Sequence, residues 1–293
     1  MTKPAESLRV LLSDLIDYAG LFPPAGLDIH SAVANFAHYR RCEFAWALGR
    51  FVLPATRLGE FEAAMPHGEL SPWPLSVLLG PKLEEDIAAL DAFAPRYSKF
   101  AFINCVETKV ALPVDIEKAH RLIGSATTYY EIPLGPELPQ LLDAIKALNG
   151  RAKIRTGGVT SDAFPSTQSI ANFLMACADR KIPFKATAGL HHPVRSVKPL
   201  TYEANAPTGT MYGFLNLFVA AMIADDTTTQ ELTEVLEEDD PAAFRFENGL
   251  MRWRDCCLPV DDLIAPIRRN FAVSFGSCSF EEPIADLKAL NLL

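Results

Sequence analysis

Apolar positions along this chain recur with two periods. Leu8, Leu11, Leu12, Leu15 and Ile16 fall on one helical stripe, which predicts a helix over 8–18 that stops at Gly20-Leu21-Phe22-Pro23-Pro24. A second helix is predicted over 30–41. From residue 44 onward, short apolar runs alternate with helical stripes. Strands are expected over 44–53, 74–80, 100–106 and 127–132, with helices over 58–65, 83–93, 115–123 and 138–148. Two further strand-like segments follow, Lys153-Ile154-Arg155-Thr156-Gly157-Gly158 and Phe184-Lys185-Ala186-Thr187-Ala188-Gly189-Leu190-His191-His192. A helix over 168–181, introduced by Pro165-Ser166-Thr167, separates them.

Six strand–helix units with short connections predict a parallel sheet. The remainder is less regular. Helices are expected over 211–224 and 229–237, and Asn248-Gly249 marks a hairpin turn within 244–253. Residues 261–293 read as mainly helical. Within them Phe271–Phe275 fits an eighth strand, and Leu263, Ile267 and Phe271 fit a helical stripe equally well. The expected layout is one domain over 1–293: an N-terminal helical extension (1–43), six strand–helix units (44–210) and a mainly helical closing region (211–293).

Right-handed crossovers leave an open doubly wound sheet or a closed barrel. No G-x-G-x-x-G follows the first strand, which argues against a nucleotide-binding open sheet. Asn104, Glu131, Arg155, Lys185 and Thr187 each come late in a predicted strand, where an otherwise apolar parallel sheet is not expected to be polar. Barrel active sites form at that end. The expected fold is therefore α/β, a (β/α)8-type barrel, incomplete or decorated.

Composition bounds the function. Of the 293 residues 49% are hydrophobic and 22% charged, as in a globular protein with a large core. The net charge of −9 argues against nucleic-acid binding, which needs a basic face, but allows a local basic pocket. The six cysteines have no zinc-type spacing, so reduced thiols are expected. Residues 1–15 lack the pattern of a secretory signal, and the longest apolar run, 214–224, is too short to span a bilayer. A cytoplasmic protein without a membrane or nucleic-acid partner is expected. A homo-oligomer is left open.

Side chains alternate faces along a strand, so Lys153 and Arg155 share one face, as do Lys185 and Thr187. Lys185 lies between Phe184 and Ala186. Burial is expected to depress its pKa, and a neutral amine attacks a carbonyl to form an imine. Glu131, one strand earlier, would shuttle protons. A buried ion pair that only aligns strands explains the same residues. Gly157, Gly158 and Gly189, beside Lys153 and Arg155, fit backbone approach to an anion or simply tight turns. Asn104 and Thr187 are further substrate-contact candidates. His191 and His192 point in opposite directions on an extended chain, so one would serve acid–base chemistry.

Two loops stand out, Asp17–Ala25 and Phe275–Pro283, as lids or capping loops. Cys278 in the second lacks a histidine partner in sequence. The 190–209 connection is the better lid candidate because of its length.

The segment F-K-A-T-A-G-L at 184–190 resembles the lysine-bearing strand of class I aldolase barrels, especially the deoxyribose-phosphate aldolase type. Arg155-Thr156-Gly157-Gly158 is loosely similar to the strand before it. The resemblance implies a Schiff-base lysine on that preceding strand and a second, tuning lysine at Lys185. Arg155 stands at the first position, with Lys153 two residues earlier on the same face.

Three functions follow as expectations. The first is a barrel lyase or isomerase for a small anionic carbonyl or sugar-phosphate-like substrate, with catalytic Lys185, Glu131 and His191 or His192, Arg155 as anion clamp and no required cofactor. The second is a divalent-metal enzyme using Glu131 and a histidine. The third is a non-catalytic barrel that binds a small anion through Lys153, Arg155 and Lys185.

Overall fold

The computed structural model describes residues 3–66 and 71–293. Eight parallel strands close into a barrel: β1 (Ile16–Tyr18), β2 (Leu48–Pro54), β3 (Trp73–Leu79), β4 (Ala101–Lys109), β5 (Thr128–Glu131), β6 (Arg151–Arg155), β7 (Phe184–Thr187) and β8 (Ala272–Ser277). Each strand pairs with its neighbour in sequence, and β8 pairs with β1 to close the ring. Helices follow the strands: α1 (Glu6–Leu12) precedes β1, and α2 (Ile29–Tyr39), α3 (Leu58–Ala64), α4 (Leu83–Tyr97), α5 (Pro113–Ile123), α6 (Leu138–Ala147) and α7 (Thr167–Arg180) follow β1 to β6 in turn. This is the TIM-barrel arrangement, complete rather than partial.

The decoration lies between β7 and β8. It holds an antiparallel hairpin (Ser196–Pro199 with Thr208–Met211), α8 (Phe214–Ile223) and α9 (Thr229–Glu237). An antiparallel meander follows (Phe244–Glu247, Leu250–Trp253, Cys256–Pro259), then α10 (Ala265–Asn270). After β8 comes α11 (Glu281–Ala289). Among the described residues no helix is long and apolar enough to cross a membrane.

Local chemistry explains most element ends. The Asp28 carboxylate accepts from the Ser31 backbone N–H to start α2, and Ser166 caps α7 in the same way. Thr228 and Glu231 form a capping box at α9. Asn248-Gly249 makes the expected turn, with Gly249 at a φ of 78°.

Two expectations are corrected. The N-terminal 43 residues are not a helical extension, because they contribute the first barrel strand. α1 stops at Leu12, Asp14 takes a left-handed φ of 51°, and Ile16 to Tyr18 run extended. The apolar residues Leu15 and Ile16 keep helical phase by coincidence. In the closing region, Ala272–Ser277 is a strand inside a segment expected to be mainly helical. α10 ends at Asn270, which limits the apolar helical stripe to its first members.

Between barrel and helices the core is aromatic on the β2–β3 side. Phe36 of α2 packs on Trp73 at a ring separation of 4.8 Å and on Phe51 at 5.3 Å, and Phe61 of α3 packs on Phe51 at 5.5 Å. This outer core leaves the barrel interior free to hold the polar groups described next.

Candidate functional site

The interior is filled by a ladder of alternating charges. Arg50 on β2 meets Asp17 on β1, with its N–H donating to Oδ1 at 2.8 Å and Nη1 3.3 Å from the same oxygen. Asp17 Oδ2 accepts from Lys185 Nζ on β7 at 2.7 Å and from the Ser274 hydroxyl on β8 at 2.8 Å. Lys185 also donates to Glu107 Oε1 on β4 at 2.5 Å. Glu107 Oε2 lies 2.6 Å from Lys153 Nζ on β6, which is 2.8 Å from Glu131 Oε2 on β5. Glu131 Oε1 reaches Arg155 on β6 at 3.8 Å. Lys153 and Lys185 are register partners on adjacent strands.

Burial decides the protonation states only where no partner answers it. Lys185 is 1% exposed, and that burial works against its charge. Asp17 and Glu107 outweigh it and raise its pKa above the ordinary lysine value. The expected neutral amine at Lys185 is therefore overturned: two buried carboxylates hold it as an ammonium ion. Burial likewise pushes Glu107 and Asp17 toward protonation, yet the cations beside them (Lys153 and Lys185 for Glu107, Lys185 and Arg50 for Asp17) keep both below the usual carboxylate range. Four cations face three carboxylates in the ladder, which leaves one positive charge over. Arg155 is the exposed end, with 52% of its side chain accessible.

The ladder opens onto a cavity of about 270 Å³ at the C-terminal ends of the strands. Glu107, Glu131, Lys153 and Lys185 form its polar floor, and Arg155, Thr187, Gly158, Gly189 and His191 line its sides. Val52, Leu78, Phe22, Pro23 and Pro24 supply apolar wall. The segment beginning at Asp17 thus splits in two. Its acid belongs to the ladder, and its Phe22-Pro23-Pro24 turn walls the cavity.

The loops after β6 and β7 are locked together. The Thr156 hydroxyl donates to the Ala188 carbonyl at 2.6 Å. Ala188 holds a φ of 62° and Gly189 one of 74°, and a left-handed φ costs an alanine about 1–2 kcal/mol. A Cβ at Gly189 would lie 2.9 Å from Gly157 Cα and 2.9 Å from the Phe164 ring.

Three predicted site residues lie elsewhere. Asn104 is exposed and accepts from Arg50 Nε at 2.6 Å, away from the cavity. Ile103 pairs with Leu75 and Cys105 with Ser76, so Asn104 is the extra residue of a bulge. That bulge reverses which later residues of β4 face inward. Gly157 packs beneath Phe164, where a Cβ would come within 2.4 Å of the ring, and does not line the cavity. His192 turns outward to Asp286 on α11, with Nδ1 2.6 Å from Oδ2.

His191 turns inward. Its Nδ1 is 3.1 Å from Glu282 Oε2 and 3.9 Å from Cys278 Sγ, so the fold supplies the histidine partner that Cys278 lacks in sequence. Burial works against charge on this imidazole, but its hydrogen bonds to Cys278 and Glu282 prevail and push its pKa up to about 9. Tyr202, in the turn of the 196–211 hairpin, donates to Glu282 at 3.1 Å and lies 3.6 Å from Cys278. The 190–209 connection thus reaches the cavity mouth, and it is partly ordered as that hairpin.

Sequence reasoning missed Glu107, Arg50 and Ser274, and noted Asp17 only as part of a loop. Glu107 follows the predicted end of its strand at Val106. An acid directly after an apolar strand was the available signal, and the bulge hid its direction. Glu131 engages Lys153 and Arg155, His192 faces α11, and His191 lines the same cavity as Glu131. Among the described residues no three His, Cys, Asp or Glu side chains are placed to hold a metal ion. No protein-family model and no curated protein matches this chain.

Proposed function

We propose that this chain is an imine-forming lyase or isomerase for a small carbonyl compound with one negative charge, and that Lys153 is its nucleophile. The observation that carries this reading is the register pair Lys153–Lys185 on β6 and β7, held between Glu131, Glu107 and Asp17 beneath an open cavity. Lys185 bonds Asp17 and Glu107 and is the tuning charge, whereas Lys153 bonds Glu131, the carboxylate that leads on to the exposed Arg155, and is the attacking amine. The resemblance to class I aldolase barrels points the same way, since it implies an imine lysine on the strand before Lys185.

The ladder supplies a proton route. Lys153 gives a proton to Glu131 at 2.8 Å and attacks the carbonyl carbon as a free amine. Glu131 returns the proton to the carbinolamine oxygen, which leaves as water to give the protonated imine. Loss of a proton, or of a carbon–carbon bond, at the adjacent carbon then gives an enamine. Glu107 is already held as an anion by both lysines, so Glu131 is the better shuttle.

Arg155 at the rim has guanidinium donors to spare, because its contact to Glu131 is long at 3.8 Å. A carboxylate or phosphate group fits there as a paired acceptor. At about 270 Å³ the cavity is just below the size range of pockets for drug-sized ligands, which suits a short-chain substrate.

Enamine formation exchanges the protons next to the carbonyl with solvent. Short keto acids and phosphorylated hydroxyketones incubated with the protein in D2O and followed by proton NMR should show enzyme-dependent exchange for at least one compound. The exchange should disappear in Lys153→Gln and slow about 100-fold or more in Glu131→Gln. Exchange that persists in Lys153→Gln would remove Lys153 as the nucleophile.

A further inference from the structure

The cavity mouth holds a second reactive group that the lysine chemistry does not use. Cys278 follows β8 and His191 follows β7, and both line the cavity. The His191 Nδ1–H is shared between Glu282 at 3.1 Å and the Cys278 sulfur at 3.9 Å. Tyr202 approaches the same sulfur and the same carboxylate from the hairpin. A thiol of a cavity-lining residue therefore sits beside a fixed imidazole, which is oriented by a carboxylate.

The other thiols lack one or more of these features: Cys256 and Cys257 lie outside the cavity, and the partner of the exposed Cys257 sulfur is the Arg252 guanidinium at 2.6 Å rather than a histidine. Cys177 is sealed in the core, where burial pushes its pKa up. Cys105 is sealed as well, and burial raises it in the same way. Cys42 is more exposed than Cys278, but among the described residues its sulfur makes no side-chain hydrogen bond. A histidine within reach of a thiol supplies a proton-transfer partner at the sulfur. His191 retains its proton at neutral pH because Cys278 and Glu282 outweigh the effect of its burial.

We propose that Cys278 is a thiol nucleophile paired with His191, and that small peroxides entering the cavity oxidise it to a sulfenic acid. In this step the sulfur attacks one peroxide oxygen, and the S–O bond forms as the O–O bond breaks. The His191 proton moves to the departing oxygen, which leaves as water or an alcohol. Sulfur gives up two electrons and the peroxide takes them, so no further co-reactant is needed.

The assignment is independent of the imine reading, because its test uses no carbonyl compound. Full-length protein is exposed to hydrogen peroxide with dimedone, which traps sulfenic acids, and adducts are quantified by peptide mass spectrometry. Cys278 should be labelled about tenfold faster than Cys42 in the folded protein. In urea the two rates should converge, since only the fold brings His191 to the sulfur. His191→Gln, checked for folding by circular dichroism, should bring Cys278 down to the rate of Cys42. Equal rates in the folded wild type, or an unchanged Cys278 rate in folded His191→Gln, would overturn the assignment.

Discussion

At the scale of single residues the ladder behaves as one unit. Lys185 is shared by Asp17 and Glu107, and Glu107 by two lysines, so removing Lys185 takes a cation from each of two buried carboxylates at once. Removing one partner of a buried ion pair costs about 3–5 kcal/mol. Lys185→Met keeps the volume and should lower stability by that amount in urea unfolding. A variant as stable as wild type would mean that the ladder carries no stability of its own. His191 gives a pH signature. Its folded pKa of about 9 lies above the ordinary 6.5, so its charge stabilises the fold fully below pH 6.5 and loses that effect as pH rises through about 9. The stability difference between wild type and His191→Gln should therefore shrink between pH 6.5 and 9. A constant difference across that range would detach the imidazole from Glu282 and Cys278. Some of these residues were legible: Lys153, Arg155, Lys185 and Glu131 stand out as charges inside apolar strands. Glu107 was not, because the bulge at Asn104 reverses the parity on which inward and outward were judged. The pairing of Cys278 with His191 joins residues 87 positions apart, a distance that only the closed barrel brings together.

At the scale of elements, the regular middle of the chain was readable and its two ends were not. β2 to β6 each have a following helix, and their predicted bounds fall within a few residues of those observed, apart from the 3-10 turn (Ala45–Ala47) before β2. β1 has three residues, too few for any period to show, and it follows directly on a helical stripe. β8 continues the stripe of α10 by one residue, Phe271, before it turns extended. The site depends on how strands end rather than on how they run. The paired loops after β6 and β7 need backbone that only glycine adopts freely at 189, with a φ of 74° and Gly157 beside it. Gly189→Ala should cost about 2 kcal/mol, from the left-handed φ and the 2.9 Å approach to Gly157 Cα. The urea midpoint checks this, and a change below about 0.5 kcal/mol would show that the loop relaxes freely.

At the scale of the molecule, closing the sheet is what creates the site. Asp17 on β1 and Lys185 on β7 are 168 residues apart in sequence, and they meet because β8 bridges the two strands. An open sheet would have kept these two apart. The overall charge of −9 is compatible with a local surplus at Arg155 because Lys153, Arg155 and Lys185 are gathered on β6 and β7. This gathering is the basis for assigning the cavity to a small anion with a carbonyl group. The most direct measurement is borohydride reduction in the presence of short keto acids and aldehydes, followed by peptide mapping of the adduct. The account predicts a reduced adduct on Lys153, none on Lys185, and none on either residue in Lys153→Arg. An adduct mapped to Lys185, or no adduct on any lysine of the cavity with any carbonyl compound that the protein turns over, would contradict it.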